Sequence, residues 1–175
     1  EARQAVLRSM QQKNYAQTVR LLRPWAERGD AQAQYGLGLM HYHGQGVAQD
    51  YVKAREWFEK ATAQGDADAQ YNLGVMYDKG HGVAQDNAKA REWYEKAAAL
   101  GDAGAQYNLG VMCRDGQSVA RDYAKARGWF EKAAAQGHTE AQNNLGSMYH
   151  DGQGVAQDYA KARKWFEKAA SQGEA

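Results

Sequence analysis

Histidine is the side chain in this 175-residue sequence best suited to binding a metal or moving a proton near neutral pH, and the chain carries five. His41 and His43 lie two residues apart, whereas two metal ligands on one face of a helix need a spacing of three or four. The other three are scattered along the chain: His81, His138 and His150. We therefore expect no metal site and no cofactor.

Covalent catalysis would need an activated nucleophile, and none of its usual sequence signatures is present. The sequence contains no serine elbow, no uniquely placed carboxylate pair and no Cys–His signature. The single cysteine, Cys113, takes the position that Tyr77 and Tyr149 hold 36 residues before and after it, which predicts a small buried thiol. Almost every acidic residue also recurs at this spacing, and architecture explains a repeated residue better than a single active site does. We predict that the protein is not an enzyme.

Gly-x-Gly turns at 44–46, 80–82 and 152–154 are superficially similar to phosphate-binding loops. A phosphate loop of that type needs a third glycine and a preceding strand, and both are missing here. The turns also recur at one structural position, so we interpret them as loop closures.

An enzyme or a small-ligand binder remains the alternative to an interaction module. Such a protein would use residues of the predicted groove that differ from one repeat to the next. These are His41, Tyr42, His43, Arg114, Asp115, His150 and Asp151. Perturbed titratable groups around one closed pocket would favour this alternative. An open groove without a pocket would favour an interaction module.

Charge and hydropathy argue against two classes of partner. The 22 basic and 21 acidic residues nearly cancel, so no strong field attracts nucleic acid. The mean hydropathy of −0.84 and the lack of a long apolar run argue against a membrane span. The chain starts at Glu1 rather than Met. We expect a periplasmic or secreted protein after removal of a signal peptide, with a cytoplasmic protein as the alternative.

An internal repeat of 36 residues organises the chain. The segment Trp57-Phe58-Glu59-Lys60-Ala61 recurs, with Tyr in place of Phe once, beginning at Trp93, Trp129 and Trp165. We predict a single all-α domain over 1–175, a right-handed α-solenoid of helix–loop–helix repeats similar to tetratricopeptide repeats. Its predicted parts are a degenerate N-terminal repeat, 1–29, and four full repeats, 30–65, 66–101, 102–137 and 138–173.

Each repeat is predicted to contain a first helix, helix A, and a second, helix B. In 66–101 the apolar spacing predicts helix A from Ala67 to Lys79, and helix B is predicted to begin after Asp86. Aspartates are expected to cap every helix A except at His138. Gly74 and Ala90 are expected to face each other so that the two helices approach closely. The Trp and Tyr or Phe pair of helix B is expected to fill the space between repeats.

The sequences Ala-Gln-Tyr-Asn-Leu-Gly (69–74), Gly-His-Gly-Val (80–83) and Lys-Ala-Arg-Glu-Trp-Tyr-Glu-Lys-Ala-Ala (89–98) resemble the Sel-one-like repeat (SLR), a relative of the tetratricopeptide repeat with a longer loop. The resemblance implies a right-handed superhelix with helix A lining a concave face. It also implies an adaptor or scaffold, often in bacterial signalling, envelope or host interaction. Cysteine-rich relatives join each helix pair by a disulfide, which one cysteine cannot do here.

Helix-A positions that point away from the apolar stripe should form the partner-binding face. In the first full repeat these are Tyr35, Leu39 and Tyr42, and in the second they are Asp68, Tyr71, Asn72 and Val75. The same positions later in the chain are Tyr107, Asn108, Val111, Arg114, Asn143, Asn144 and His150. Tyrosines would contact a protein or peptide partner through large rigid rings, and asparagine amides would bond its backbone. Alternatively, the tyrosines pack against the next helix and the asparagines bond a carbonyl of the chain itself. A further expectation is weak end-to-end self-association through exposed aromatic groups near Trp165.

Overall fold

The computed structural model describes residues 2–173, and within that range all regular structure is helical. The helices are α1 (Ala2–Gln11), α2 (Tyr15–Glu27), α3 (Ala31–His43), α4 (Tyr51–Thr62), α5 (Ala67–Lys79), α6 (Asn87–Ala99), α7 (Ala103–Asp115), α8 (Tyr123–Ala135), α9 (Thr139–Asp151) and α10 (Tyr159–Gly173). Helix A of the four full repeats is α3, α5, α7 and α9, and helix B is α4, α6, α8 and α10. Glu1, which the sequence analysis assigns to the degenerate repeat, lies outside the described residues, as do Glu174 and Ala175.

Short polar side chains begin the helices as the sequence predicts. The Asp66 carboxylate accepts a hydrogen bond from the Ala69 backbone N–H at 2.8 Å, and Asp86 accepts one from the Lys89 N–H at 3.0 Å. The expectation that His138 is an exception is wrong, because its Nδ1 accepts from the Ala141 N–H at 3.3 Å. A histidine side chain therefore takes the place of the carboxylate at this N-cap.

Glycine ends each helix A and shapes the loop that follows. Gly80 has a φ of +69° and a left-handed conformation at the end of α5, which glycine adopts without the Cβ clash of other residues. The Asp86 N–H then donates to the Tyr77 carbonyl at 2.9 Å, which returns the chain to the start of helix B. The Gly-x-Gly turns are loop closures.

The helices are divided into two compact units, residues 1–90 and 91–175. Unit 1 has a core formed by Val6, Val19, Leu22, Ala26, Ala33, Leu37 and Met40. Unit 2 has a core formed by Cys113, Ala126, Phe130, Ala133, Ala134, Ala141, Leu145 and Met148. Both cores lie between paired helices and bury the apolar stripes that the sequence predicts.

A glycine of helix A leaves room for an aromatic ring of helix B. A Cβ placed on Gly110 would lie 2.6 Å from Cε1 of Phe130, whose side chain is fully buried. In the last repeat, a Cβ placed on Gly146 would likewise lie 2.6 Å from Cε1 of Phe166. At these two positions the nearest side chain of helix B is the ring, four residues beyond the alanine that the sequence predicts. The Gly74–Ala90 contact itself stays a prediction.

The tryptophans do not fill the core to the extent that the sequence predicts. Phe58 and Phe130 are fully buried, whereas Trp57 and Trp129 are half-buried. The Lys60 ammonium lies 4.2 Å from the centre of the Trp57 ring, and Lys132 lies 4.5 Å from that of Trp129. A cation above an indole stabilises this arrangement at the surface, so in these two repeats Phe rather than Trp is the fully buried aromatic residue.

Buried glutamines of α3, α7 and α9 donate hydrogen bonds to the helix that precedes each of them. Gln34 Nε2 donates to the Ala26 carbonyl at 3.1 Å, and Gln142 Nε2 donates to the Ala134 carbonyl at 3.2 Å. Gln64 in turn donates to Gln34 Oε1 at 2.9 Å. These bonds satisfy carbonyls at the ends of helices that would otherwise be buried without partners.

Candidate interaction surface

The residues predicted to form the binding face, here called the helix-A face, are all half-buried or exposed. They are Tyr35, Leu39, Tyr42, Asp68, Tyr71, Asn72, Val75, Tyr107, Asn108, Val111, Arg114, Asn143, Asn144 and His150. The buried side of the same helices holds Leu37, Leu73, Leu109 and Leu145. Each helix A therefore has a core side and a side that retains solvent contact, and the predicted residues lie on the latter.

The face tyrosines combine packing with exposure. Tyr35 lies against Phe58 with ring centres 5.9 Å apart, and Tyr107 lies 5.7 Å from Phe130. Tyr107 also stacks on His138 at 4.7 Å with an interplanar angle of 19°. Such contacts fix each ring in one orientation, and a rigid aromatic ring loses little entropy when a partner covers its remaining surface.

The face asparagines are partly used inside the chain. Asn72 Nδ2 donates to the Asp68 carbonyl at 2.8 Å, one helical turn back. Asn144 makes the equivalent bond to the Glu140 carbonyl at 2.8 Å and accepts a hydrogen bond from Arg114. The amide planes are therefore held along the helix, and Asn144 is committed to the chain itself.

An apolar groove lies at the N-terminal end of unit 1, between α1 and α3. It has a volume of about 360 Å³ and is lined mainly by Leu7, Met10, Trp25, Tyr35 and Leu39. Leu7 is 59% exposed and Met10 is 44% exposed. Arg3 and Asp30 form an exposed ion pair at its edge, with 3.9 Å between Arg3 Nη2 and Asp30 Oδ2. Two predicted face residues thus line a groove with two exposed apolar residues that the sequence analysis missed.

Leu7 and Met10 were missed because the first helix pair has a shorter loop. Three residues separate α1 from α2, whereas seven separate α3 from α4. With this four-residue difference, Leu7 corresponds to Leu39 at a spacing of 32 instead of 36. Met10 corresponds to Tyr42 by the same shift. Allowing a loop deletion in the degenerate repeat is the signal that would have found both residues.

In unit 1 the residues of the enzyme alternative serve packing. His41 is buried, and this burial lowers its pKa. Burial likewise raises the pKa of Tyr42, whose hydroxyl lies 2.8 Å from His81 Nδ1. His81 stacks on Tyr51 at 4.6 Å and an interplanar angle of 11°. These rings hold the loop at 80–82 against the preceding helix pair.

In unit 2 the corresponding charged residues pair with their neighbours in sequence. Arg114 Nε donates to Asp115 Oδ1 at 2.7 Å, and this bond lowers the pKa of the Asp115 carboxyl. His150 Nδ1 lies 2.7 Å from Asp151 Oδ1 at an exposed position. Asp115 and Asp151 are therefore each paired with the residue before them in sequence. They do not converge with other titratable groups on one pocket.

A hollow of about 430 Å³ lies beside Cys113, with Val119, Asp122, Lys125 and Trp129 among its lining residues. The thiol is 9% exposed, and burial raises its pKa, which disfavours the thiolate. In the neighbouring repeats a tyrosine occupies this position. Lys161 lies 5.4 Å from the centre of the Tyr149 ring. The hollow is thus the space that a phenol ring fills elsewhere in the array.

Filling this hollow is expected to stabilise the protein. Cys113→Tyr should raise the free energy of unfolding by about 1 kcal/mol, because the ring would bury apolar surface beneath Lys125. Urea unfolding followed by circular dichroism measures the change. Cys113→Ala serves as the control and should be neutral or destabilising. A Cys113→Tyr protein less stable than the Cys113→Ala protein would contradict this account of the hollow.

Among residues 2–173, no three His, Cys, Asp or Glu side chains are grouped closely enough to hold a metal ion. Within the same part of the chain, no helix has both the length and the apolar character needed to cross a bilayer.

Comparison with known proteins identifies the repeat. The Sel1 repeat model matches residues 31–66, 67–102, 103–138 and 139–174. No curated protein sequence matches the chain significantly. Solved structures with the same fold do match it, and three of them follow.

A protective antigen of uropathogenic Escherichia coli strains, described as displaying an SLR fold, is 42% identical with a TM-score of 0.87, over 91% of this chain and 34% of its own. A Sel1 repeat protein from Oxalobacter formigenes is 34% identical with a TM-score of 0.86, over 90% of this chain and 64% of its own. Cysteine rich protein B of Helicobacter pylori is 25% identical with a TM-score of 0.53, over 68% of this chain and 90% of its own. The chain thus spans about a third and just under two thirds of the first two relatives.

The helix pairs, their repeat sequence and these matches define an all-α solenoid of the tetratricopeptide-like class. The four consecutive matches cover most of the sequence. The chain belongs to the Sel1 repeat family.

Proposed function

We propose that the protein is an interaction module that binds a segment of another protein along its helix-A face, with the apolar groove between α1 and α3 as the anchor. Sel1 repeat proteins are generally protein-interaction modules, and their fold is not typically catalytic. Partner identity does not follow from the family.

The observation that carries the proposal is the cluster of exposed apolar side chains in the groove. Leu7 and Met10 keep about half of their surface in solvent, beside half-buried Tyr35 and Leu39. Covering apolar area stabilises a complex by about 25 cal/mol per Å² before the costs of association. An apolar patch with a polar rim is typical of the centre of a protein interface.

The occupant that fits best is an extended segment or a helix with apolar side chains on one side. The edge of the groove carries one basic and one acidic residue, Arg3 and Asp30. Tyr71 of unit 1 and Tyr107 of unit 2 would each contact a protein partner through a rigid ring.

The test is partner affinity with matched variants. Proteins captured from source-cell extract by the wild-type chain are identified, purified and titrated. Leu7→Asp should weaken binding at least tenfold, about 1.4 kcal/mol, because it places a charge in the groove. Leu100→Asp is the control, since Leu100 is 58% exposed, close to the 59% of Leu7, but lies outside the groove.

Two further variants test the rest of the helix-A face. Tyr71→Ala and Tyr107→Ala should each cost about 1 kcal/mol or more of binding energy in folded protein. If both tyrosine variants bind as the wild type does, the partner does not extend along the face. If Leu7→Asp and Leu100→Asp weaken binding equally, the groove is not the anchor.

A further inference from the structure

The hollow beside Cys113 lies where two other repeats hold an aromatic ring beneath a lysine. Lys161 Nζ lies 5.4 Å from the centre of the Tyr149 ring, and the second full repeat has the same pair at the same distance. In both pairs the lysine follows the tyrosine by twelve residues. Lys125 follows Cys113 by the same twelve residues and borders the hollow. The third full repeat therefore keeps the cation but replaces the ring with a short side chain.

The walls and the size of the hollow suit an aromatic ring. Leu109, Met112 and Trp129 contribute apolar surface to it. Its volume of about 430 Å³ falls within the range of small-molecule sites, about 300–1,000 Å³. An apolar cavity of only about 150 Å³ can bind benzene. The hollow therefore has room for a ring that carries a further substituent.

Arg121 is a second departure from the repeat pattern at the same hollow. In the last repeat the equivalent residue is Gln157, whose Nε2 donates to the His150 carbonyl at 2.8 Å. The first two full repeats also have a glutamine there, with the same bond. Arg121 replaces this neutral amide and lines the hollow. The third repeat thus gains a positive charge beside the space where it lacks a ring.

The two acids that line the hollow have partners other than Arg121. Glu95 Oε1 lies 3.5 Å from Arg91 Nε. Asp122 accepts a hydrogen bond from the Lys125 backbone N–H at 3.0 Å, as an N-cap does.

Asp115, outside the hollow, is bonded to its own neighbour. Hydrogen bonds from Arg114, and to a smaller extent the charge of Arg121, lower the pKa of the Asp115 carboxyl. The hydrogen bonds of Asp115 thus come from Arg114, which leaves the Arg121 guanidinium able to pair with an anion.

We propose that the hollow beside Cys113 is a binding site for a small aromatic acid, such as a hydroxyphenyl carboxylate. Its ring would lie beneath Lys125 and against Leu109 and Met112, where a cation and apolar walls both stabilise it. Its carboxylate would pair with Arg121, whose planar guanidinium can donate two parallel hydrogen bonds. The inference does not rest on the proposed function, because the anchor groove lies in unit 1 and the hollow lies in unit 2.

The experiment titrates the chain with 4-hydroxyphenylacetate and, separately, with p-cresol, which has the same ring without the carboxylate. Binding is followed by NMR of the methionine methyl groups. We expect the acid to bind with a Kd of about 1 mM or tighter, which suits a ligand of this size, and p-cresol to bind about tenfold more weakly. Arg121→Gln, the residue type of the other full repeats, should lower the affinity for the acid to that for p-cresol.

Two comparisons locate the ligand. The Met112 methyl group should shift on binding, whereas that of Met148, the equivalent buried residue of the next repeat, should not. Cys113→Tyr fills the hollow with a ring of the protein and should abolish binding. Cys113→Ala leaves the hollow open and should bind as the wild type does. Circular dichroism verifies the fold of each variant.

The proposal is overturned if 4-hydroxyphenylacetate produces no saturable shift of Met112, or if a folded Cys113→Tyr protein binds it as the wild type does. Should Cys113→Tyr not fold, the wild-type chain decides, since equal shifts of Met112 and Met148 would place the ligand elsewhere. Equal affinities for the acid and p-cresol would also overturn the proposal. They would show that the hollow takes a ring alone, such as the tyrosine side chain of a protein partner.

Discussion

Phe130→Ala should lower the free energy of unfolding by about 4 kcal/mol, whereas Phe166→Ala should lower it by about half of that or less. Both rings pack on a glycine of helix A, and a Cβ added to that glycine would lie 2.6 Å from the ring in each case. Only Phe130 is fully buried, while Phe166 keeps 38% of its surface exposed. Truncating Phe130 therefore leaves a cavity between two repeats, and truncating Phe166 removes a ring from an open surface.

Urea unfolding of the two variants, monitored by circular dichroism, measures this difference. Arrays of repeats can unfold in stages, so exchange of backbone amides should show where each variant loses structure. We expect Phe130→Ala to weaken α7, α8 and α9 together and Phe166→Ala to weaken only α9 and α10. Equal losses for the two variants would show that stacking by the next repeat adds little.

Gly110→Ala and Gly128→Ala should have opposite effects on stability although both replace a helical glycine. In an exposed helix, alanine is favoured over glycine by about 1 kcal/mol. A Cβ at Gly128 meets no heavy atom within 4 Å, so Gly128→Ala should gain most of that amount. A Cβ at Gly110 lies 2.6 Å from the buried Phe130 ring, and overpacking there should cost about 1–3 kcal/mol net.

The same unfolding experiment provides the measurement, with each variant serving as the control for the other. Glycine-to-alanine changes also act on the unfolded chain, but they do so about equally at the two sites. The sign of the difference therefore reports the folded state. If Gly110→Ala stabilises the protein as much as Gly128→Ala does, helix A and helix B do not approach as closely as described.

Most of the fold could be predicted from the sequence because the repeat presents the same local signals four times. Apolar spacing defined α5, and the aspartates before it and before α6 defined where both helices begin. The Gln34 hydrogen bond to Ala26 could not be predicted in this way. A glutamine on the apolar side of a helix gives no local indication of which distant carbonyl it will meet.

The candidate site was only partly predictable for a related reason. Tyr35 and Leu39 lie at positions that recur every 36 residues, as the core positions do. The sequence pattern therefore predicted that both lie on the side of helix A opposite its apolar stripe. Leu7 and Met10 follow a spacing shortened by the compact loop of the first helix pair, and their place in the groove emerges only when α1 packs beside α3. The exposure of Phe166 likewise depends on what stacks against α10 rather than on its own repeat.

The central claim is that partners bind on the helix-A face, and site-specific photo-crosslinking tests it most directly. Benzoylphenylalanine is introduced at Leu39 in the groove or at Val52, which is 47% exposed on α4 outside the groove. Each protein is irradiated in source-cell extract. We expect a discrete crosslinked partner from position 39, which Leu7→Asp abolishes, and none from position 52. The same partner crosslinked from position 52 but not from position 39 would contradict it.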